Sequence, residues 1–338
     1  MRYAALEVAG VPDAIRSSEF ITLLGGMAAA WPRVARAQEP GRTYRLGGLT
    51  PSPRDAPHYA ALFDQLRQLG FIEGQNLTID WRGYGARTEQ FRGIAAELVK
   101  AKPDVIFCAG DIAVRAAQQA TTTIPILAVT DDMVGAGLVR SLAEPGGNTT
   151  GVSILATELD GKRQDILIEA VPRLRRMATL ADVNTTTPQK LKELEDAART
   201  RGVELSIHRV AQSEEVLPAI EAVKTSDAAA LNVLASPLLF ANRRFIIERA
   251  ASLRLPAVYQ FPEMAEDGGL IGYGPRLVEI FREFGRRQLV KLFRGAKPTD
   301  LPVEQPSHIE FVINLQTAKA IGHDVPPGLV LRADKVIE

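Results

Sequence analysis

Asp104-Val105-Ile106-Phe107-Cys108-Ala109 is a short apolar run that opens on an acidic residue and closes on Gly110. Its length and its Val, Ile and Phe content suit a strand buried on both faces in the middle of a parallel sheet. About 125 residues further on, a distance of the order of one domain, a similar run appears. It reads Asp227-Ala228-Ala229-Ala230-Leu231-Asn232-Val233-Leu234. Outward from the first run, Tyr44–Leu49 reads as a strand and Asn76–Trp81 alternates as another. A helix between them carries Tyr59, Leu62, Phe63, Leu66 and Leu69 on one face and stops at Gly70. A helix near 88–100, one near 112–120 and a strand at Pro125–Val129 complete the unit. Outward from the second run the order repeats: strand Met177–Val183, a charged helix ending at Gly202, strand Val203–Ile207, a helix opening at Ser213, then Leu255-Pro256-Ala257-Val258-Tyr259. Gly70 matches Gly202, Asp104 matches Asp227, and Ile124-Pro125 matches Leu255-Pro256.

This repeat predicts an α/β protein of two Rossmann-like lobes, each a parallel sheet covered by helices. Lobe 1 is expected over 42–150, joined by a later segment near 275–295. Lobe 2 is expected over 151–272, joined by 300–338. The turn-rich Pro145-Gly146-Gly147-Asn148-Thr149-Thr150-Gly151 is the expected connector and hinge. In parallel sheets ligands bind beyond the carboxyl ends of the strands, so two facing lobes place the site in a cleft between them.

The candidates for ligand contact are therefore the loops after the strands. Thr50 and Ser52 suit either a ligand carboxylate or a turn cap. Ala109 and Gly110 precede Asp111, which suits a helix N-cap better than a ligand contact. Asp131 and Asp132 are adjacent at a strand end, so at most one faces the cleft, where it would pair an amino group; the alternative is a solvated loop. Asn184, Ser236 and Pro237 are the second-lobe counterparts. Tyr259, Phe261 and Tyr273 suit either stacking on an apolar ligand or the core.

Composition narrows the function class. The 338 residues include 40 Lys+Arg and 40 Asp+Glu, so the chain lacks the basic excess of a phosphate-binding, nucleic-acid-binding protein. One cysteine, Cys108, excludes an intramolecular disulfide and a cysteine metal cluster. The histidines at 58, 208, 308 and 323 have no paired metal spacing, and no Walker A, G-x-S-x-G or G-x-G-x-x-G motif follows the first strand. No catalytic residue, cofactor or metal is expected. At the N-terminus, Phe20–Ala30 is an apolar run too short to span a bilayer, and Ala35-Arg36-Ala37 precedes Gln38 as a small-x-small site. Residues 1–40 thus read as a secretory signal peptide, with export to the periplasm.

Several blocks together resemble a known family. They are Phe20–Gly26, Ala35–Gln38, Gly70-Phe71-Ile72-Glu73-Gly74-Gln75-Asn76, Pro145–Val152, Pro256–Tyr259, Gly268-Gly269-Leu270-Ile271-Gly272-Tyr273-Gly274 and Gly295–Pro306. From about Phe20 to the C-terminus the chain resembles the ABC transporter substrate-binding proteins that include tryptophan-binding members. The resemblance implies a type I periplasmic-binding-protein fold, no catalysis, and a monomer. It also implies delivery of a small organic solute, an amino acid or aromatic compound in some relatives, to an inner-membrane permease with a cytoplasmic ATPase. Three positions depart from the pattern. Ser17-Ser18 stand where relatives carry paired arginines, Met133 where they carry proline, and Ser236 where an aspartate is common. The last two sit where a ligand would lie, so ligand identity need not transfer. Two other classes stay open: a cytoplasmic small-molecule sensor on the same fold, and an enzyme on a doubly wound fold.

Overall fold

The computed structural model describes residues 41–338; the segment read as a signal peptide lies outside them. Five strands form the first sheet: β1 (Tyr44–Leu49), β2 (Leu77–Arg82), β3 (Val105–Ala109), β4 (Ile126–Thr130) and β5 (Thr149–Ser153). They run parallel in the order β2-β1-β3-β4-β5. Seven strands form the second: β6 (Arg176–Asp182), β7 (Glu204–Val210), β8 (Leu231–Val233), β9 (Ala257–Tyr259), β10 (Ile271–Gly274), β11 (Glu310–Asn314) and β12 (Lys335–Ile337). Its order is β12-β11-β10-β9-β8-β6-β7. Within it β7-β6-β8-β9-β10 repeats the first sheet strand for strand, and only the added β11 runs antiparallel to its neighbour β10.

The helices supply the right-handed crossovers that parallel neighbours require. In the first lobe these are α1 (Pro57–Gln68), α2 (Phe91–Lys100) and α3 (Asp111–Ala120). α1 starts on Pro57, whose missing N–H costs nothing at a first helical position, and buries Tyr59, Leu62 and Leu66 at helical spacing. α4 (Asp160–Ala170) leads into the second lobe. There α5 (Pro188–Thr200), α6 (Ser213–Thr225), α7 (Pro237–Ala241), α8 (Arg243–Ser252) and α9 (Pro262–Glu266) follow. Thr187 caps α5 by accepting from the Lys190 N–H at 3.2 Å, again with proline at the first position. Among the described residues no helix is long and apolar enough to cross a membrane.

The chain passes between the lobes three times. After β5 it enters α4 of the second lobe. After β10 it returns as α10 (Leu277–Phe284), which packs on α1. It then runs back to β11 past Glu304, which is bridged to Val152 of β5. The expected connector at 145–151 is thus not one: its second half is β5, paired along its length with β4. β5 escapes a hydrophobic reading because both faces are covered, so Thr149 and Thr150 are buried where solvated residues would be expected. The crossover lies beyond it, at residues 154–159.

Candidate functional site

The carboxyl ends of the two sheets face each other. Between them is a cavity of about 110 Å³ built from loops of both lobes and from the first turns of α1, α7 and α10. From the first lobe come Pro51 and Ser52 after β1, Ala109 and Gly110 after β3, and Thr130 and Asp131 at the end of β4. From the crossover come Ile154, Ala156 and Thr157; from the second lobe Thr185, Ser236, Pro237, Gln260 and Phe261. The lobes meet closely here. Gly110 lies at φ +85° ahead of α3, and a Cβ at that position would come 3.7 Å from the Pro237 ring of the other lobe.

Part of the cavity wall is aromatic. His58, Tyr59, Phe240, Phe261 and Phe281 line it with Leu277. The His58 ring lies 4.2 Å from Tyr59, 4.8 Å from Phe281 and 5.7 Å from Phe240, centroid to centroid. Phe261 meets Phe240 edge to face at 5.4 Å. Beyond this box the Arg243 guanidinium stacks over Phe240 at 4.5 Å and bonds Asp267 at 3.0 Å. Burial, with the nearby Arg243 charge, brings the His58 pKa down to about 3, so the imidazole is neutral at any physiological pH.

The wall also carries an acid. Among the described residues Asp131 is the sole formal charge on the cavity wall, and neither lysine nor arginine lines it. Its carboxylate is fixed by Thr157, which donates its N–H to Oδ1 at 3.0 Å and its hydroxyl to Oδ2. Asp111 stands close behind. Burial pushes its carboxyl above the ordinary range, Arg115 opposes the shift and Asp131 adds to it.

The second-lobe wall is held by side chains bonded to one another. Ser236 donates its hydroxyl to Asp182 at 2.7 Å and accepts the Leu239 N–H at 3.2 Å, capping α7. Gln260 accepts from the Ser236 N–H at 3.1 Å and donates to its carbonyl at 3.0 Å. Beneath them, Asp160 and Arg163 form an ion pair with no exposed surface. Asp160 accepts the Ala235 N–H at 3.1 Å, and Arg163 donates to the carbonyls of Tyr273, at 2.9 Å, and Ala156. One guanidinium therefore holds backbone next to two of the three passages between lobes.

Of the residues expected at the site, Ser52, Ala109, Gly110, Asp131, Ser236, Pro237 and Phe261 come together on the cavity wall. Six lie elsewhere. Thr50 is fully buried and turns its hydroxyl to the Ser52 carbonyl at 3.0 Å. Asp111 opens α3 behind the wall. Asp132 caps its own turn, accepting the N–H groups of Val134 and Gly135 at 3.1 and 2.9 Å. Asn184 is exposed and donates to Asp182. Tyr259 is 1% exposed in the core. Tyr273 packs on Phe311 beside a shallow charged groove on the flank of the second lobe. Tyr259, the last residue of β9, thus serves the core, and Tyr273, one residue before the end of β10, is half-buried away from the cavity. His58, Thr157, Phe240, Leu277 and Phe281 were not foreseen. The signal for His58 was its place in the first turn of a helix that begins just after the β1 loop.

Residues 54–337 match the family of ABC transporter substrate binding proteins. A curated tyrosine-binding protein from Clostridioides difficile is 26% identical over 259 residues, which is 76% of this chain and 74% of that protein. A conserved domain protein from Vibrio cholerae superposes with a TM-score of 0.77 at 24% identity, over 87% of this chain and 100% of that one. A domain from Streptococcus pneumoniae in complex with L-Trp gives 0.75 at 22% identity, again over 87% and 100%.

Proposed function

The chain belongs to the ABC transporter substrate-binding protein family, and from that premise we propose that it captures an aromatic amino acid in the periplasm and delivers it to an importer's permease and ATPase. The fold is the type I periplasmic-binding-protein fold. The observation that carries the ligand class is the make-up of the cavity wall, which joins aromatic rings to the fixed Asp131 carboxylate. The ring of the ligand enters the box of Phe240, Phe261 and Phe281. Its ammonium pairs with Asp131. Its carboxylate meets the Ser52 hydroxyl and the N-terminus of α3, a ten-residue helix whose first-turn N–H groups lack intrahelical acceptors and favour negative charge. The tyrosine-binding and L-Trp-bound relatives support the same class. The wall residues bond to each other rather than presenting a nucleophile beside a base, which supports capture without turnover.

Thermal unfolding with tyrosine, tryptophan, phenylalanine, leucine and aromatic acids lacking an amine tests this reading. An aromatic amino acid at about 100 times its Kd should add roughly 2.7 kcal/mol of stability. If none of the three aromatic amino acids shifts the transition, the reading fails. Asp131→Asn should weaken the best of them about 10- to 100-fold by calorimetry, the range of a hydrogen bond to a charged group. An unchanged affinity would place the ammonium elsewhere.

A further inference from the structure

His58 lines the cavity and is 5% exposed. Its ring nitrogens have no hydrogen-bond partner among the described residues. Neither nitrogen is among the fully enclosed atoms left without a partner, so each keeps accessible surface, to be served by water or by what enters the cavity. The neighbours of His58 on its own side, Tyr59, Phe240 and Phe281, meet it with ring faces and edges rather than with donors or acceptors bonded to it. Phenylalanine in its place would pack against the same rings and leave nothing unpaired. The remaining open direction is the cavity.

We propose that His58 is a specificity residue, whose imidazole hydrogen-bonds a polar substituent on the ligand's ring and so selects a phenol or an indole over a plain benzene ring. The assignment rests on the aromatic amino-acid reading above. A neutral imidazole offers one donor and one acceptor, so it serves a phenolic O–H in either sense and accepts from an indole N–H. It stays neutral because it is buried and Arg243 is near. The partner that the protein does not supply arrives with the ligand. A site built to bond a hydroxyl or N–H rejects the analogue lacking it more strongly than a purely apolar pocket does, because the site's own polar group is then left unpaired.

The experiment is calorimetry on the full chain with four probes: tyrosine, phenylalanine, tryptophan and 1-methyltryptophan. The wild type should favour tyrosine over phenylalanine, or tryptophan over its N-methyl analogue, by about tenfold, the factor for one hydrogen bond with its unpaired penalty. His58→Phe should bring the ratio close to one. A ratio that survives the substitution, with both ligands still bound, overturns the assignment and leaves the aromatic amino-acid reading standing. Failure of all four probes to bind the wild type overturns both. If His58→Phe does not fold, the imidazole 15N resonances of the wild type decide instead. Those of His58 should move with tyrosine or tryptophan and not with phenylalanine, and identical shifts with all three would overturn the assignment.

Discussion

Arg163→Met should destabilise the protein by about 3–5 kcal/mol, the cost of stranding a buried charge by removing its partner. Arg163 and Asp160 have no exposed side-chain surface and lie 2.6 Å apart, one turn along α4. Burial raises the Asp160 carboxyl above its ordinary range, and the Arg163 guanidinium is the main opposing influence. Methionine fills a similar volume but leaves the carboxylate uncompensated, and it leaves the carbonyls of Tyr273 and Ala156 without their donor. Asp160→Asn combined with Arg163→Met should recover part of the loss, because the two changes share one interaction and their effects do not add. Urea unfolding of the single and double variants measures this. A single variant within about 1 kcal/mol of the wild type would mean that water reaches the pair and that its burial does not persist in solution.

Gly151→Ala should prevent folding of the first lobe. Gly151 sits in β5 at φ +151°, and a Cβ there would fall 1.8 Å from the Ala128 carbonyl oxygen of β4. That oxygen belongs to the sheet backbone, so it cannot move aside as a flexible side chain can. The Gly151 carbonyl also accepts from Glu304 N–H at 2.9 Å and from Gln288, so a displaced β5 loses its hold on the returning chain. The cost should exceed about 5 kcal/mol, in the range reserved for severe backbone conflict. Gly147→Ala is the control: φ is +61° and nothing lies within 4 Å. It should cost only about 1–2 kcal/mol of left-handed strain. Soluble yield and circular dichroism distinguish the two, and a soluble, folded Gly151→Ala would refute the expectation.

The duplicated strand order was legible because buried parallel strands are written as short apolar runs, and Val105–Ala109 has its counterpart at Leu231–Val233. The family blocks pointed to the same architecture. β5 was not legible, since a pair of threonines after Pro-Gly-Gly-Asn carries a turn signal, and only tertiary cover makes Thr150 fully buried. Half of the cavity wall was reachable by counting loops after strands, as for Ser52, Asp131 and Ser236. Counting loops cannot say which of two adjacent acids turns inward: Asp132 is spent on its own turn, and Asp131 is free to meet Thr157. Nor can it find Phe281, which reaches the site because α10 returns more than two hundred positions later to lie on α1.

That return sets an order of assembly. The cavity face of the first lobe includes Tyr59 against Phe281, with ring centres 5.3 Å apart, and β5 is closed by the Ser153 N–H to the Glu304 carbonyl at 2.9 Å. Emerging from the ribosome, the first lobe is made early and finished late. Its sheet can form, but its last helix and the bond that locks its edge wait for residues that follow almost the whole of the other lobe. Closing so long a loop is slow, and the half-made lobe spends that time with Phe107 and Tyr59 uncovered.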